Sequence, residues 1–142
     1  MRVILVVEDD DDLRRDICAA LTNEGFVARQ AQNGLDALLI LQEDELPDLI
    51  LLDLIMPMMN GWAFRAEQEM DARLAHIPVI VMSAAPLERA AIIASDLVRK
   101  PVNIVELGAR VRAHFLGSDL PDDVPNGVIC EPLDIDDSPP LQ

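Results

Sequence analysis

Three short stretches of this chain contain only apolar residues, and they constrain its fold more than any other feature. They cover residues 3–7, 49–52 and 78–82. Uninterrupted runs of this length are typical of strands that are covered on both faces, as in parallel sheets. Residues 26–31 alternate apolar with polar side chains, which predicts a more exposed strand near a sheet edge. With a short fifth strand at residues 97–98, we predict a sheet whose central strands are the three apolar runs.

Helical periodicity occupies the intervals between these strands. Three apolar stripes recur at helical spacing: Leu13, Ile17 and Leu21, then Ala37, Leu38 and Leu41, and last Ile104, Leu107 and Val111. Alternating strands and helices imply right-handed crossovers and a three-layer α/β sandwich. We therefore predict a parallel five-stranded sheet, and with the strand order 2-1-3-4-5 this architecture is the flavodoxin-like (βα)5 fold.

The length and charge of the chain exclude several classes of function. A chain of 142 residues with 51% apolar residues favours a single domain with a substantial core. Its net charge of -15 repels a phosphate backbone, so we do not expect DNA binding. No apolar stretch reaches the roughly 18 residues of a membrane span, and the first residues lead into a strand rather than a signal sequence. We expect a cytoplasmic protein without membrane association.

The composition changes at residue 118. Residues 118–142 contain seven acidic residues, five prolines and no lysine or arginine. Such a segment cannot build a core, so we predict a domain at 1–117 followed by a flexible, acidic, proline-rich tail. Cys18 and Cys130 do not have the spacing of a metal site, and Cys18 is expected to be a small helix residue that packs against the sheet.

Polar residues follow several of the predicted strands. Glu8 and Asp9 follow the first strand, Asp53 ends the third and Lys100 follows the fifth. Ligands of open parallel sheets collect at the carboxyl ends of the strands, where the strand order reverses. Clustered carboxylates raise one another's pKa unless a cation lies among them, and Mg²⁺ prefers such oxygen ligands.

These residues suit phosphoryl transfer. A metal held by acids beside a lysine stabilises the oxygens of a phosphoryl group, and a carboxylate can be the nucleophile. We assign that role to Asp53, with Ser83 and Lys100 contacting phosphoryl oxygens. Residues 10–12 are assigned to the loop and the first helical turn, where acids favour a helix N-terminus.

Each of these residues also has an ordinary structural interpretation. A single acid at a strand end is usually a turn or cap residue, and Ser83 alone would more often cap a helix. Lys100 alone would be a surface charge. All of these residues are predicted to lie at the carboxyl ends of strands in one sheet, which favours the functional interpretation over the structural one.

Four motifs resemble one known family. VVEDD at 6–10, DLIMPMMNG at 53–61, VIVMSA at 79–84 and RKP at 99–101 resemble the receiver domain of bacterial two-component response regulators, over roughly residues 1–117. The resemblance implies that Asp53 is the phosphoacceptor and that Glu8 and Asp9 are the acidic pair. Asp9, Asp53 and the backbone carbonyl of Ile55 would bind Mg²⁺, with Glu8 as the second acid of the metal site and Mn²⁺ as the alternative ion. Ser83 would stand at the switch position, and Lys100 would precede a cis proline.

The function implied by this resemblance is that of a stand-alone response regulator. It would take a phosphoryl group from a histidine kinase or a histidine phosphotransfer protein and signal by contacts with a downstream protein, as a monomer or weak dimer. It would not be an enzyme beyond promoting its own phosphorylation and slow dephosphorylation. Ile55 and Ala85 are apolar and would not orient an attacking water. Arg14 and Arg15 are either surface charges or docking residues for the kinase partner.

The chain departs from the family at two places. Only about a dozen residues separate the fourth and fifth strands, which predicts a shortened fourth helix. Leu97 stands where the family usually has an aromatic residue that switches between two orientations. The alternative function is therefore a receiver-like adaptor or phosphate shuttle, in which phosphorylation is uncoupled from the usual output face. A small metal-dependent phosphatase ranks lower, because the sequence offers no further acid-base residue and no substrate lid.

Overall fold

The computed structural model describes residues 2–43, 45–84 and 96–119. The strands and helices, in chain order, are β1 (Val3–Val7), α1 (Asp11–Asn23), β2 (Val27–Ala31), α2 (Gly34–Leu41), β3 (Leu49–Asp53), α3 (Gly61–Met70), β4 (Val79–Ser83), β5 (Asp96–Arg99) and α4 (Ile104–Asp119). The shortened helix predicted between β4 and β5 falls on residues 85–95, outside the described residues.

The five strands form one parallel sheet in the order β2-β1-β3-β4-β5. Every residue of β1, β3 and β4 is buried, because these central strands are covered on both faces. In β2 only Ala31 is buried, as expected for a strand at the edge. The prediction from the apolar runs is therefore confirmed, including the strand order of the flavodoxin-like fold.

The strand order also determines where the helices lie. The chain moves from β1 to β2 in one direction across the sheet, and from β2 through β3 to β4 in the other. Because parallel crossovers are right-handed, α1 covers one face of the sheet while α2 and α3 cover the opposite face. The direction reverses between β1 and β3, and a crevice at their carboxyl ends is the consequence.

Polar side chains cap the N-termini of the four helices that the structure describes. Asp10 accepts hydrogen bonds from the backbone N–H groups of Asp12 and Leu13, at 3.0 and 3.1 Å. Asn33 accepts a hydrogen bond from the Asp36 N–H at the start of α2, and Asn60 accepts one from the Ala63 N–H at the start of α3. Asn103 accepts one from the Glu106 N–H at the start of α4. The acids of residues 10–12 thus serve the N-terminus of α1, as the sequence predicted.

Residues 1–108 form one unit, which contains the sheet, the first three helices and the beginning of α4. Its core includes Phe64, and the polar side chain of Gln68 is buried on the same face of α3. The Gln68 amide donates to the backbone oxygens of Leu74 and Ile77, at 2.9 and 3.0 Å, and so fixes the connection to β4.

Burial raises the pKa of the Cys18 thiol to about 11, which makes this buried cysteine unreactive at neutral pH. Residues 109–119 continue α4.

Gly61, the first residue of α3, lies against the backbone of β3 and the loop after it. A Cβ atom at this position would come within 2.7 Å of the Asp53 carbonyl oxygen and 2.8 Å of Leu54 Cα. We expect Gly61→Ala to lower the free energy of unfolding by about 3 kcal/mol, because backbone atoms must move. Urea denaturation measures this loss.

Gly108 is the matched control for that substitution. A Cβ there has only Glu24 side-chain atoms nearby, at 3.8 Å or more. Gly108→Ala is expected to raise stability by about 0.5 to 1 kcal/mol through helix propensity. Equal effects of the two substitutions would contradict the close packing at Gly61.

Candidate active site

The carboxyl ends of the parallel strands bring the predicted polar residues to one edge of the sheet. Asp53 is the last residue of β3 and lies opposite Met82, so Ser83 stands one residue further along the neighbouring strand. Glu8 follows β1 directly, and Lys100 follows β5. Parallel pairing from one strand to the next accounts for this convergence, which the sequence predicted from strand ends alone.

Three carboxylates form the centre of the site. Glu8, Asp9 and Asp53 each offer an oxygen, and these oxygens lie within 4.8 Å of one another. Glu8 is completely buried and Asp53 is 2% exposed, whereas Asp9 is exposed to solvent. The group therefore combines two buried acids with one that is open to the outside.

Lys100 supplies the positive charge of the site. Its Nζ atom lies 2.9 Å from Glu8 Oε1 and 3.3 Å from Asp53 Oδ2. Burial alone would lower the pKa of Lys100, but hydrogen bonding to Glu8 and attraction to Asp53 outweigh burial, and the pKa is raised. The ammonium thus stays charged at neutral pH and bridges the two buried acids.

The carboxyl group of Asp53 has a strongly raised pKa. Burial and repulsion from Glu8 raise the pKa of Asp53 to about 7, against the opposing attraction of Lys100. A hydrogen bond from the Ile55 N–H to Asp53 Oδ1, at 3.3 Å, also acts in the lowering direction. A single lysine therefore does not neutralise this pair of buried acids.

The charges fit a divalent cation. Three carboxylates and one ammonium leave two negative charges uncompensated when all are ionised. Oxygen ligands with one solvent-exposed member suit Mg²⁺, which usually keeps several of its waters. The raised pKa of Asp53 is the electrostatic cost of this arrangement without such an ion.

Ser83 and Pro101 border the site. Ser83 is completely buried, and its carbonyl oxygen accepts a hydrogen bond from the Lys100 N–H at 3.0 Å. The peptide bond between Lys100 and Pro101 is cis, as the resemblance implied. Ile55 has a side chain that is 60% exposed beside Asp53, whereas Ala85 lies outside the described residues.

The loop from β3 to α3 is held by backbone hydrogen bonds. Met59 N–H donates to the Pro57 carbonyl at 2.8 Å, so Met58 adopts a φ of 71° in a γ-turn. Gly61 N–H donates to Leu54 O at 2.8 Å and closes the loop. These contacts fix the segment that carries the Ile55 carbonyl, next to Asp53.

One contact at the edge of the site is not predicted by the sequence. Arg14 Nη1 donates to the Glu8 carbonyl oxygen at 2.7 Å, and the same guanidinium bonds to Asp11 and Gln30. The arginine lies three residues after Asp11, a spacing that predicts an ion pair on one helix face. The sequence gives no sign of the contact with Glu8, because it depends on how α1 is placed against β1. Arg15 is exposed and pairs with Asp12.

Fold and site together define a flavodoxin-like α/β domain with buried acids and a lysine at the point where the strand order reverses. A family model for the response regulator receiver domain matches residues 4–112. The chain belongs to the response regulator receiver domain family.

Individual relatives agree with this assignment. The response regulator PleD of Caulobacter vibrioides is 38% identical over 118 residues, which are 78% of this chain and 25% of PleD. The chain thus spans about a quarter of that relative.

No helix among the described residues is long and apolar enough to cross a membrane.

Solved structures give the same result. The phosphorylated cyanobacterial phytochrome response regulator RcpA is 27% identical, with a TM-score of 0.72 over 84% of this chain and 96% of its own. The response regulator TrrA of Thermotoga maritima, in complex with Mg²⁺ and BeF, is 28% identical, with a TM-score of 0.67 over 79% of this chain and 97% of its own.

Proposed function

We propose that this chain accepts a phosphoryl group on Asp53 from a phosphohistidine of a histidine kinase or phosphotransfer protein, in an Mg²⁺-dependent relay. The observation that carries the proposal is the contact of Lys100 Nζ with both Asp53 and Glu8, beside the exposed carboxylate of Asp9. A buried nucleophile, a fixed cation and a pair of acids with one member open to solvent are the parts that phosphoryl transfer needs.

The residues would act as follows. An Asp53 carboxylate oxygen attacks phosphorus, and the bond from phosphorus to the histidine nitrogen breaks as the new bond forms. Lys100 already lies 3.3 Å from Asp53 and would pair with a phosphoryl oxygen. The Ser83 hydroxyl would donate to another oxygen of the same group.

Asp9, Asp53 and the Ile55 carbonyl would hold the metal ion, with Glu8 beside them. Bound Mg²⁺ would supply positive charge that stabilises the anionic oxygens during transfer. The complex of TrrA with Mg²⁺ and BeF and the phosphorylated state of RcpA support this assignment by similarity. Mn²⁺ offers similar chemistry at such a site.

Transfer from a phosphorus–nitrogen donor tests this function. Phosphoramidate with Mg²⁺ is expected to phosphorylate the purified protein, and EDTA is expected to prevent it because the acids then repel the donor. Intact mass spectrometry measures the gain. Phosphorylation that is equally fast in EDTA would contradict the role of the metal. Because Ile55 does not orient water, the label should then be lost slowly after the donor is removed.

The output of the phosphorylated chain is proposed to be a contact with a downstream protein. A second candidate, the adaptor or phosphate shuttle, is favoured by Leu97, which is half-buried and packs against the core. An aliphatic side chain held in this way cannot exchange orientations as an aromatic ring does.

We also propose that the receiver comprises residues 1–117 and that residues 118–142 form the acidic tail. Helix α4 continues to Asp119.

Trp62 distinguishes the two candidates, because it is the one tryptophan of the chain and packs against the core beside the site loop. A regulator should change its Trp62 fluorescence or its sedimentation when it is phosphorylated. Phosphorylation without either change would favour the shuttle.

A further inference from the structure

We infer that Arg14 is a positioning residue for the metal site: it holds the Glu8–Asp9 peptide in the orientation that directs Asp9 toward the cation. The inference rests on the proposed metal site and assigns a role to an arginine that is not itself a ligand. The observation behind it is the 2.7 Å hydrogen bond from Arg14 Nη1 to the Glu8 carbonyl oxygen.

The backbone of Glu8 is held on both sides. Its N–H donates to the Ala31 carbonyl at 3.1 Å, and its carbonyl accepts from Arg14. A peptide unit is planar, so the Glu8 carbonyl and the Asp9 nitrogen turn together as one body. Fixing the oxygen of Glu8 therefore fixes the direction in which the chain enters Asp9. The exposed side chain of Asp9 depends on that direction for its approach to Glu8 and Asp53.

The guanidinium of Arg14 is itself held in place by two different elements. Its Nε donates to Gln30 Oε1 on β2 at 3.0 Å, and its Nη2 donates to Asp11 Oδ1 on α1 at 2.7 Å. The Arg14 side chain is only 14% exposed. Three acceptors in three directions match the rigid fork of arginine, and the ammonium of lysine cannot reproduce this geometry.

These contacts also decide between the two interpretations of Arg14 given by the sequence. Its donors are directed to Glu8, Asp11 and Gln30, so it is not a charge that is presented to a docking partner. Arg15, whose side chain is 69% exposed, can still have that role.

Charge and position predict opposite effects of removing Arg14. A positive charge near the acids weakens the binding of a cation, so loss of the charge alone would tighten Mg²⁺ binding. Loss of position would weaken it, as with other residues that orient a metal ligand from outside the coordination shell. The sign of the change in Mg²⁺ affinity therefore separates the two explanations.

Isothermal titration with Mg²⁺ alone measures this sign. We expect Arg14→Ala and Arg14→Lys to bind Mg²⁺ about tenfold more weakly than the original chain. Arg15→Ala removes the same charge from the next residue of α1 and should stay within about twofold of it. Gln30→Leu removes only the Nε partner of Arg14 and should give an intermediate loss.

Thermal unfolding without Mg²⁺ is measured for the same variants, because a residue with a merely structural role would lower stability without changing the affinity of the folded protein. Wild-type Mg²⁺ affinity in Arg14→Lys, or tighter binding in Arg14→Ala, would overturn the inference. No Mg²⁺ binding by the original chain would instead refute the proposed metal site, and the positioning role with it.

Discussion

Replacing Lys100 with methionine is expected to lower the free energy of unfolding by about 3 kcal/mol at pH 8 in Mg²⁺-free buffer. Lys100 Nζ contacts both Glu8 and Asp53, and these acids are almost completely buried. Without the ammonium, two adjacent carboxylates face each other in a site with little water. Urea denaturation at pH 8 gives the loss directly.

The dependence of this stability loss on pH and on Mg²⁺ identifies its cause. The loss should shrink at pH 5, because Asp53, whose pKa is raised, can then be protonated. It should also shrink when Mg²⁺ is added, because the cation replaces the missing charge. Arg99→Met is the matched control, since Arg99 is the exposed residue immediately before Lys100. A loss of equal size for Arg99→Met, or one independent of pH, would contradict the account of the ion pair.

Replacing Asp53 with asparagine should have the opposite effect and stabilise the protein by about 2 kcal/mol at pH 8 without Mg²⁺. The pKa of Asp53 is raised from 3.8 to about 7, so the folded state retains a proton that the unfolded state has released between these values. The stabilisation that comes from retaining this proton is complete below the unfolded pKa of 3.8, and it is lost as the pH rises to the folded pKa of about 7. A shift of this size corresponds to about 4 kcal/mol and already includes the attraction of Lys100. The cost of burying the polar asparagine amide offsets roughly half of it.

The advantage of Asp53→Asn over the original chain should therefore grow from pH 5 to pH 8. Added Mg²⁺ should reduce it, because the ion stabilises only the chain with the carboxylate. Asp16→Asn, at an exposed position of α1, serves as the control for removing one negative charge. The raised pKa of Asp53 would be refuted by an advantage that is independent of pH or is shared by Asp16→Asn.

Much of the fold could be predicted from the sequence, because the relevant signals are local. Uninterrupted apolar runs identified β1, β3 and β4 as central strands, and the acids of residues 10–12 marked the beginning of α1. Once strands are parallel and crossovers right-handed, the residues after the strand ends must meet at one edge. Glu8, Asp53 and Lys100 were found in this way.

The remaining features depend on tertiary geometry. The bond between Arg14 and Glu8 arises from the placement of α1 on β1, and no periodicity reports it. The positive φ of Met58 arises because the short loop after β3 must turn sharply before α3, whereas methionine itself disfavours that conformation. Gln68 is a polar residue on a buried helix face, and only the path of the following connection explains its hydrogen bonds.

Phosphorylation at one defined residue is the central claim, and intact mass spectrometry after treatment with acetyl phosphate and Mg²⁺ tests it most directly. The original chain should gain one phosphoryl group, and Asp53→Asn should gain none although it remains folded. Asp12→Asn, which changes an exposed acid in the first turn of α1, should be phosphorylated like the original chain. An unchanged mass for the original chain, or an equal gain in Asp53→Asn, would contradict the assignment of Asp53 as the phosphoacceptor.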